Sequence, residues 1–176
     1  VMELLHGESL QSRLEGSGEG HKALPYGDVF KVATSALKSL REAHEIDLVH
    51  RDVKPGNIVF HRLDDGDEAV KLIDFGMVHI AGSLLTRRNE RLGTPAYMSP
   101  EQAKGSTVDA RSDLYSLGCV LYTCLAGRPP FLRGGNPMAI LHAHVNKTPP
   151  PLQVLAPSVE PMMAEVINKA LAKDPA

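Results

Sequence analysis

The sequence predicts a mainly α-helical domain with one small β-hairpin. Three observations carry this. Apolar residues recur at helical spacing over 29–44, a second apolar stretch of helical length runs over 113–126, and two short apolar runs flank Asp64-Asp65-Gly66-Asp67.

Taken in order, Val1 to Leu5 reads as the end of a buried strand or a connector. Residues 16–22, Gly-Ser-Gly-Glu-Gly-His-Lys, read as a flexible polar loop. Their G-x-G-x-G run lacks a preceding strand and the G-x-G-x-x-G spacing, so it is not a phosphate loop. The first helix follows. Val29, Val32, Ala33, Ala36, Leu37, Leu40, Ala43 and His44 share one face, with Asp28 as N-cap or first-turn acid. Residues 57–60 and 69–73 are two short strands joined by Asp/Gly turn chemistry. Residues 77–100 show no period and hold Gly82, Gly93, Pro95 and Pro100, the pattern of a long functional loop. Residues 113–126 are apolar nearly all round, which predicts a helix in the middle of its domain, stopped by Gly127. Shorter helices are expected over 137–146 and 158–172, either side of Pro149-Pro150-Pro151.

Composition narrows the classes. The 176 residues are 43% hydrophobic and 23% charged, with net charge −2, which excludes disorder and disfavours a nucleic-acid binder driven by bulk charge. No run approaches a membrane span, so no membrane contact is expected from this segment. Cys119 and Cys124 stand five apart in an apolar stretch and fit neither a redox nor a zinc motif, so buried free thiols in a reducing compartment are expected. Both ends run straight out of apolar pattern, which is unlike a domain boundary, and a piece of a longer protein is expected.

The chemistry concentrates in His50-Arg51-Asp52-Val53-Lys54-Pro55-Gly56-Asn57 and, 22 residues past Asp52, in Asp74-Phe75-Gly76. Further on come Gly93-Thr94-Pro95-Ala96-Tyr97-Met98-Ser99-Pro100-Glu101, then Asp109 to Gly118, then Gly127-Arg128-Pro129-Pro130-Phe131. These five segments, in this order and spacing, resemble the catalytic loop, metal-binding turn, activation segment and central helix of protein kinases. They most resemble those of the bacterial eukaryotic-like Ser/Thr kinases. The resemblance covers most of the chain and implies the large C-terminal lobe of that fold, with catalytic loop 50–57 and activation segment 74–101. Ser99 stands where the family's A-P-E segment has Ala.

The resemblance implies roles that phosphoryl transfer requires. Asp52 would accept or orient the substrate hydroxyl proton, and Lys54 would place an ammonium near the γ-phosphate of ATP and favour Ser/Thr over Tyr. Asn57 and Asp74 would offer oxygens to Mg²⁺, a hard cation that prefers them. Read alone, Asp52 and Asp74 are each better taken as solvated turn residues, and only together with Lys54 and Asn57 do they point to catalysis. His50 and Phe75, with Gly76, would align the catalytic loop and the turn. Asp113 would accept hydrogen bonds from the catalytic-loop backbone, the alternative being a plain N-cap at Ser112 or Asp113. Arg51 would pair with a phosphorylated loop residue, with Thr86 as the candidate beside Arg87, Arg88 and Arg91. An unmodified loop with solvated basic side chains is the other reading. Thr94 would pack beside the substrate site. Glu101 would pair with an arginine beyond Ala176.

Residues 1–7 resemble the hinge between kinase lobes. Met2 would be the gatekeeper, the backbone of Glu3 and Leu5 would hold adenine, and Val59 would form the floor beneath it. The Gly-rich loop, the strand-borne lysine and its glutamate partner of the small lobe are not in these 176 residues. Two consequences are expected: an open lobe face able to self-associate, and negligible transfer by the 176 residues alone. The implied partners are ATP and Ser/Thr-bearing proteins, with no nucleic acid. The implied location is the cytoplasm, for a parent anchored to a membrane as much as for a free one. A non-catalytic pseudokinase or scaffold is the competing reading, and a small-molecule phosphotransferase a third. The latter is disfavoured because the segment from Gly93 to Glu101 shapes a peptide groove in the family.

Overall fold

The computed structural model describes residues 4–15, 22–75, 95–132 and 136–174. Its small sheet has three antiparallel strands in the order β1 (Gly7–Ser9), β2 (Ile58–Arg62), β3 (Glu68–Leu72). The expected hairpin is β2–β3, with Ile58 opposite Leu72 and Arg62 opposite Glu68. β1 is an addition to the expected fold. It begins after Leu5, so the strand reading of 1–5 does not hold for Leu4, which is 75% exposed, or for the half-buried Leu5. Gly7 has φ 152°, and a Cβ there would lie 1.8 Å from the Phe60 carbonyl oxygen, so only glycine lets β1 approach β2 this closely.

A short helix, α1 (Leu10–Glu15), buries Leu10 and Leu14. Its Arg13 lies 3.6 Å above the Phe60 ring and 2.8 and 2.6 Å from the carboxylates of Glu8 and Glu68. The guanidinium thus ties β1, α1 and β3 over one aromatic face. Helix α2 (Tyr26–His44) buries the predicted stripe except Leu37, which is 45% exposed, and His44, which is half-buried. Pro25 rather than Asp28 precedes its first turn, and Asp28 is the first-turn acid.

Helix α3 (Pro100–Lys104) opens with a reciprocal cap. Ser99 Oγ accepts from the Gln102 backbone N–H, and Gln102 Oε1 accepts from the Ser99 N–H. Helix α4 (Ala110–Ala126) is the predicted central helix, and the side chains from Tyr115 to Leu125 are buried. Its N-cap is Asp109, accepting from the Arg111 N–H, not Ser112 or Asp113. Gly127, at φ 66°, ends it. Leu114 departs from the all-round pattern at 40% exposure. Helices α5 (Pro137–Asn146), α6 (Leu152–Leu155) and α7 (Pro161–Ala170) complete the described chain. Gly118 of α4 lets α7 approach, since a Cβ there would lie 2.9 Å from the Ala170 Cβ. Cys119 and Cys124 are free and buried, and burial pushes both thiols above their ordinary pKa. Among the described residues no helix is long and apolar enough to cross a membrane.

Candidate active site

The segment 50–57 runs between α2 and β2, and the far end of β3 returns beside it. Asp113, 1% exposed at the start of α4, organises the loop from below. Its Oδ2 accepts from the His50 backbone N–H at 2.8 Å and lies 2.7 Å from His44 Nε2. Its Oδ1 accepts from the Arg51 N–H at 2.8 Å. A carboxylate this deep needs such donors, because burial without them costs several kcal/mol. Arg51 has φ 67°, a left-handed conformation that non-glycine residues seldom adopt. That turn presents two successive N–H groups to one carboxylate. The Arg51 carbonyl accepts in turn from Gln102 Nε2 at 2.7 Å, so the cap of α3 also grips the loop.

His50 joins the loop to the end of β3. Its Nδ1 accepts from the Asp52 N–H at 3.3 Å, which leaves Nε2–H to donate to the Ile73 carbonyl at 2.9 Å. Its ring packs against Phe75, centroids 4.5 Å apart. Ile73 N–H donates to the Asn57 carbonyl at 2.9 Å. The residue before Asp74 is therefore bonded on one side to Asn57 and on the other to His50. Asp74 itself is exposed, at φ 62°.

Three predicted residues meet directly. Lys54 Nζ lies 2.8 Å from Asp52 Oδ2. Asn57 Nδ2 donates to Asp52 Oδ2 at 3.1 Å and to the Asp52 carbonyl at 2.9 Å. A tight turn over Pro55–Asn57, closed by the Asn57 N–H on the Lys54 carbonyl at 3.0 Å, brings them together. Asp52 and Asn57 are buried, Lys54 half-buried. The Asn57 amide nitrogen is committed to Asp52, which leaves its Oδ1 as the atom that can face a cation. Among the described residues no three His, Cys, Asp or Glu side chains cluster to hold a metal. Asn57 Oδ1 and the exposed Asp74 carboxylate are oxygen donors of the kind Mg²⁺ takes when it keeps waters and shares the phosphates of a ligand, rather than the makings of a protein-only cage.

Val59 is half-buried on the face of β2 opposite Ile58 and Phe60, and Leu5 is half-buried ahead of β1. Glu101 accepts from the Ser112 hydroxyl. Met2, Glu3, Gly76, Thr86 and Thr94 lie outside the described residues, as do Ser83, Arg87, Arg88 and Arg91. The sequence reading missed His44 and Gln102. Ser99-x-x-Gln102 is a legible capping box, but nothing in the sequence announces that its amide also reaches Arg51.

The family model for the protein kinase domain matches residues 1–176. The chain belongs to the protein kinase family. It is 40% identical over 178 residues to a probable serine/threonine-protein kinase of Streptomyces coelicolor and 39% identical over 178 residues to serine/threonine-protein kinase PknB of Mycolicibacterium smegmatis. Each match covers 99% of this chain, and 25% and 27% of those proteins. The chain thus spans about a quarter of the length of these curated relatives. The crystal structure of the Mycobacterium tuberculosis PknI kinase domain superposes with TM-score 0.73 at 28% identity, covering 99% of this chain and 58% of that one. The helix-rich body with its small antiparallel sheet is thus a protein kinase fold, present in part.

Proposed function

We propose that this chain is the large lobe of a Ser/Thr protein kinase that moves the γ-phosphate of ATP to Ser/Thr hydroxyls of protein substrates. The observation that carries the reading is the joint placement of Asp52, Lys54 and Asn57, with Asp74 following Ile73, whose N–H donates to the Asn57 carbonyl. Asp52 orients the incoming hydroxyl and takes its proton at Oδ1, while Lys54 and Asn57 hold the carboxylate in place through Oδ2. Lys54 is close enough to Asp52 to swing between that carboxylate and the transferring phosphate, which keeps positive charge where negative charge develops. Asn57 Oδ1 and the Asp74 carboxylate are the residues to hold Mg²⁺, which when bound neutralises the phosphates. The backbone of Glu3 and Leu5 holds adenine, Met2 is the gatekeeper, and Val59 lies beneath the base. Arg51 is the partner for a phosphorylated Thr86, and Thr94 lines the substrate site. The open lobe face is a surface for self-association.

The test is phosphate transfer to a Ser/Thr peptide by this chain joined to a kinase small lobe. Asp52→Asn should lower kcat by about a thousandfold or more. A fusion that binds ATP without transferring phosphate would favour the scaffold reading instead.

A further inference from the structure

His144 of α5 has no exposed surface. Phe131 meets its ring edge-on, centroids 4.9 Å apart, and Tyr115 of α4 does so at 5.7 Å. The Tyr115 hydroxyl lies 3.0 Å from His144 Nδ1, and it accepts from Lys173 Nζ at 2.8 Å. The Lys173 ammonium also sits over the rings of Phe131 and Tyr115, at 4.6 and 5.1 Å. An ammonium can only donate, so the tyrosine oxygen accepts from it and keeps its own proton for Nδ1. Burial first, and Lys173 second, hold the imidazole neutral, pushing its pKa down to about 4 against the opposing pull of the Ala96 and Pro95 carbonyls. The chain of donors therefore puts the ring proton on Nε2. That nitrogen is the one buried side-chain polar atom without a hydrogen-bond partner among the described residues.

The two carbonyls facing the ring belong to the tight turn Pro95–Tyr97, between the segment from Gly93 and the cap of α3. The Pro95 carbonyl accepts a long bond, 3.4 Å, from the Met98 N–H. A buried N–H donor thus faces two backbone acceptors in the segment that shapes the peptide groove in kinases. We propose that Lys173, Tyr115 and His144 form an ordered relay whose last donor, His144 Nε2–H, positions the Pro95–Tyr97 turn and so sets how tightly the groove holds a peptide. The inference rests on the kinase reading of that segment. A small movement of the turn onto the ring closes the missing bond, and a peptide lying on the outer side of the turn favours that movement. The relay therefore acts on peptide binding and leaves nucleotide binding alone. His144 is a positioning residue, not a catalytic one.

Two measurements test it. Imidazole ¹⁵N NMR of the 176-residue chain at neutral pH should show His144 as the Nε2–H tautomer, and Tyr115→Phe should release that preference. An Nδ1–H tautomer in the wild type overturns the relay. In the chain joined to a small lobe, His144→Phe should raise the peptide KM about tenfold and leave the ATP KM within about twofold, because only one donor is lost. His144→Gln, whose amide nitrogen reaches near the Nε2 position, should recover most of that loss. An unmoved peptide KM in an active fusion, both KM values rising together, or glutamine performing no better than phenylalanine overturns the relay alone. A wild-type fusion with the Nε2–H tautomer but no phosphate transfer overturns the kinase reading and the groove assignment with it.

Discussion

Asp113 and His50 stand 63 positions apart in the chain, yet the carboxylate of one accepts the backbone N–H of the other at 2.8 Å. The same carboxylate takes the Arg51 N–H, so the geometry of the loop 50–57 is set by the buried central helix.

Removing that acceptor should therefore loosen the loop and the fold together. Asp113→Ala leaves two backbone donors and His44 without their partner, and should cost about 3–5 kcal/mol. Asp113→Asn keeps one acceptor oxygen but turns an amide donor toward another donor, and should fall between. Denaturant titration gives the magnitude. Amide exchange at His50 and Arg51 should rise in both variants, and unchanged protection there would refute the assignment.

The contact between α4 and α7 is just as local. Helix α7 lies against Gly118, where a Cβ would sit 2.9 Å from Ala170 and 3.3 Å from Leu171. Alanine gains about 1 kcal/mol of helix propensity against that overlap, so Gly118→Ala should be mildly unfavourable. Gly118→Val has no such compensation and should destabilise by about 2–3 kcal/mol. Urea unfolding of the valine variant within about 0.5 kcal/mol of wild type would show that α7 gives way freely.

These elements differ in how far they could be read from the sequence. Helix α4 announces itself, because no surface helix is apolar on every side, and a carboxylate at Asp113 must then find donors. The hairpin β2–β3 is legible from its Asp/Gly turn. Strand β1 is not, since three residues carry no period and its placement depends on a glycine approaching Phe60 across the sheet. Leu37 and His44 fit the apolar stripe of α2 equally well by spacing. One is nonetheless exposed, and the other reaches Asp113. Spacing along a helix fixes direction, whereas burial depends on which neighbour arrives. At the candidate site, Asp52, Lys54 and Asn57 lie close together in the sequence and are readable as a group. The grip of Gln102 on Arg51 comes from a tertiary fold that no local pattern encodes.

The relay residues predict a pH dependence. Burial lowers the His144 pKa to about 4, below its ordinary 6.5. Between those values the unfolded chain binds a proton that the folded ring refuses, so stability should fall as pH drops from 6.5 toward 4. The slope from this one group approaches about 1.4 kcal/mol per pH unit. Burial likewise lowers Lys173 from 10.5 to about 8. Between 8 and 10.5 the unfolded chain holds the extra proton, and stability should rise with pH. Urea midpoints at pH 5 and 6.5 should converge between wild type and His144→Phe as pH falls, and parallel pH profiles for the two would contradict the assignment.

Gln102 allows the cap of α3 and the grip on the loop to be separated. Its Oε1 closes the capping box with the Ser99 N–H, while its Nε2 holds the Arg51 carbonyl. Gln102→Ala loses both and should cost about 1–2 kcal/mol. Gln102→Glu keeps the acceptor for Ser99 and adds a negative charge at the start of a helix, which is favourable by about 0.5 kcal/mol. It also puts an oxygen opposite the Arg51 carbonyl, so the half-buried side chain must turn away and release the loop. The glutamate variant should therefore unfold near the wild-type midpoint while amide exchange at Arg51 and Asp52 rises and phosphate transfer by the small-lobe fusion falls. If global stability and loop protection instead decline in step, the cap and the loop behave as one unit, and the side chain of Gln102 has no separate hold on residue 51.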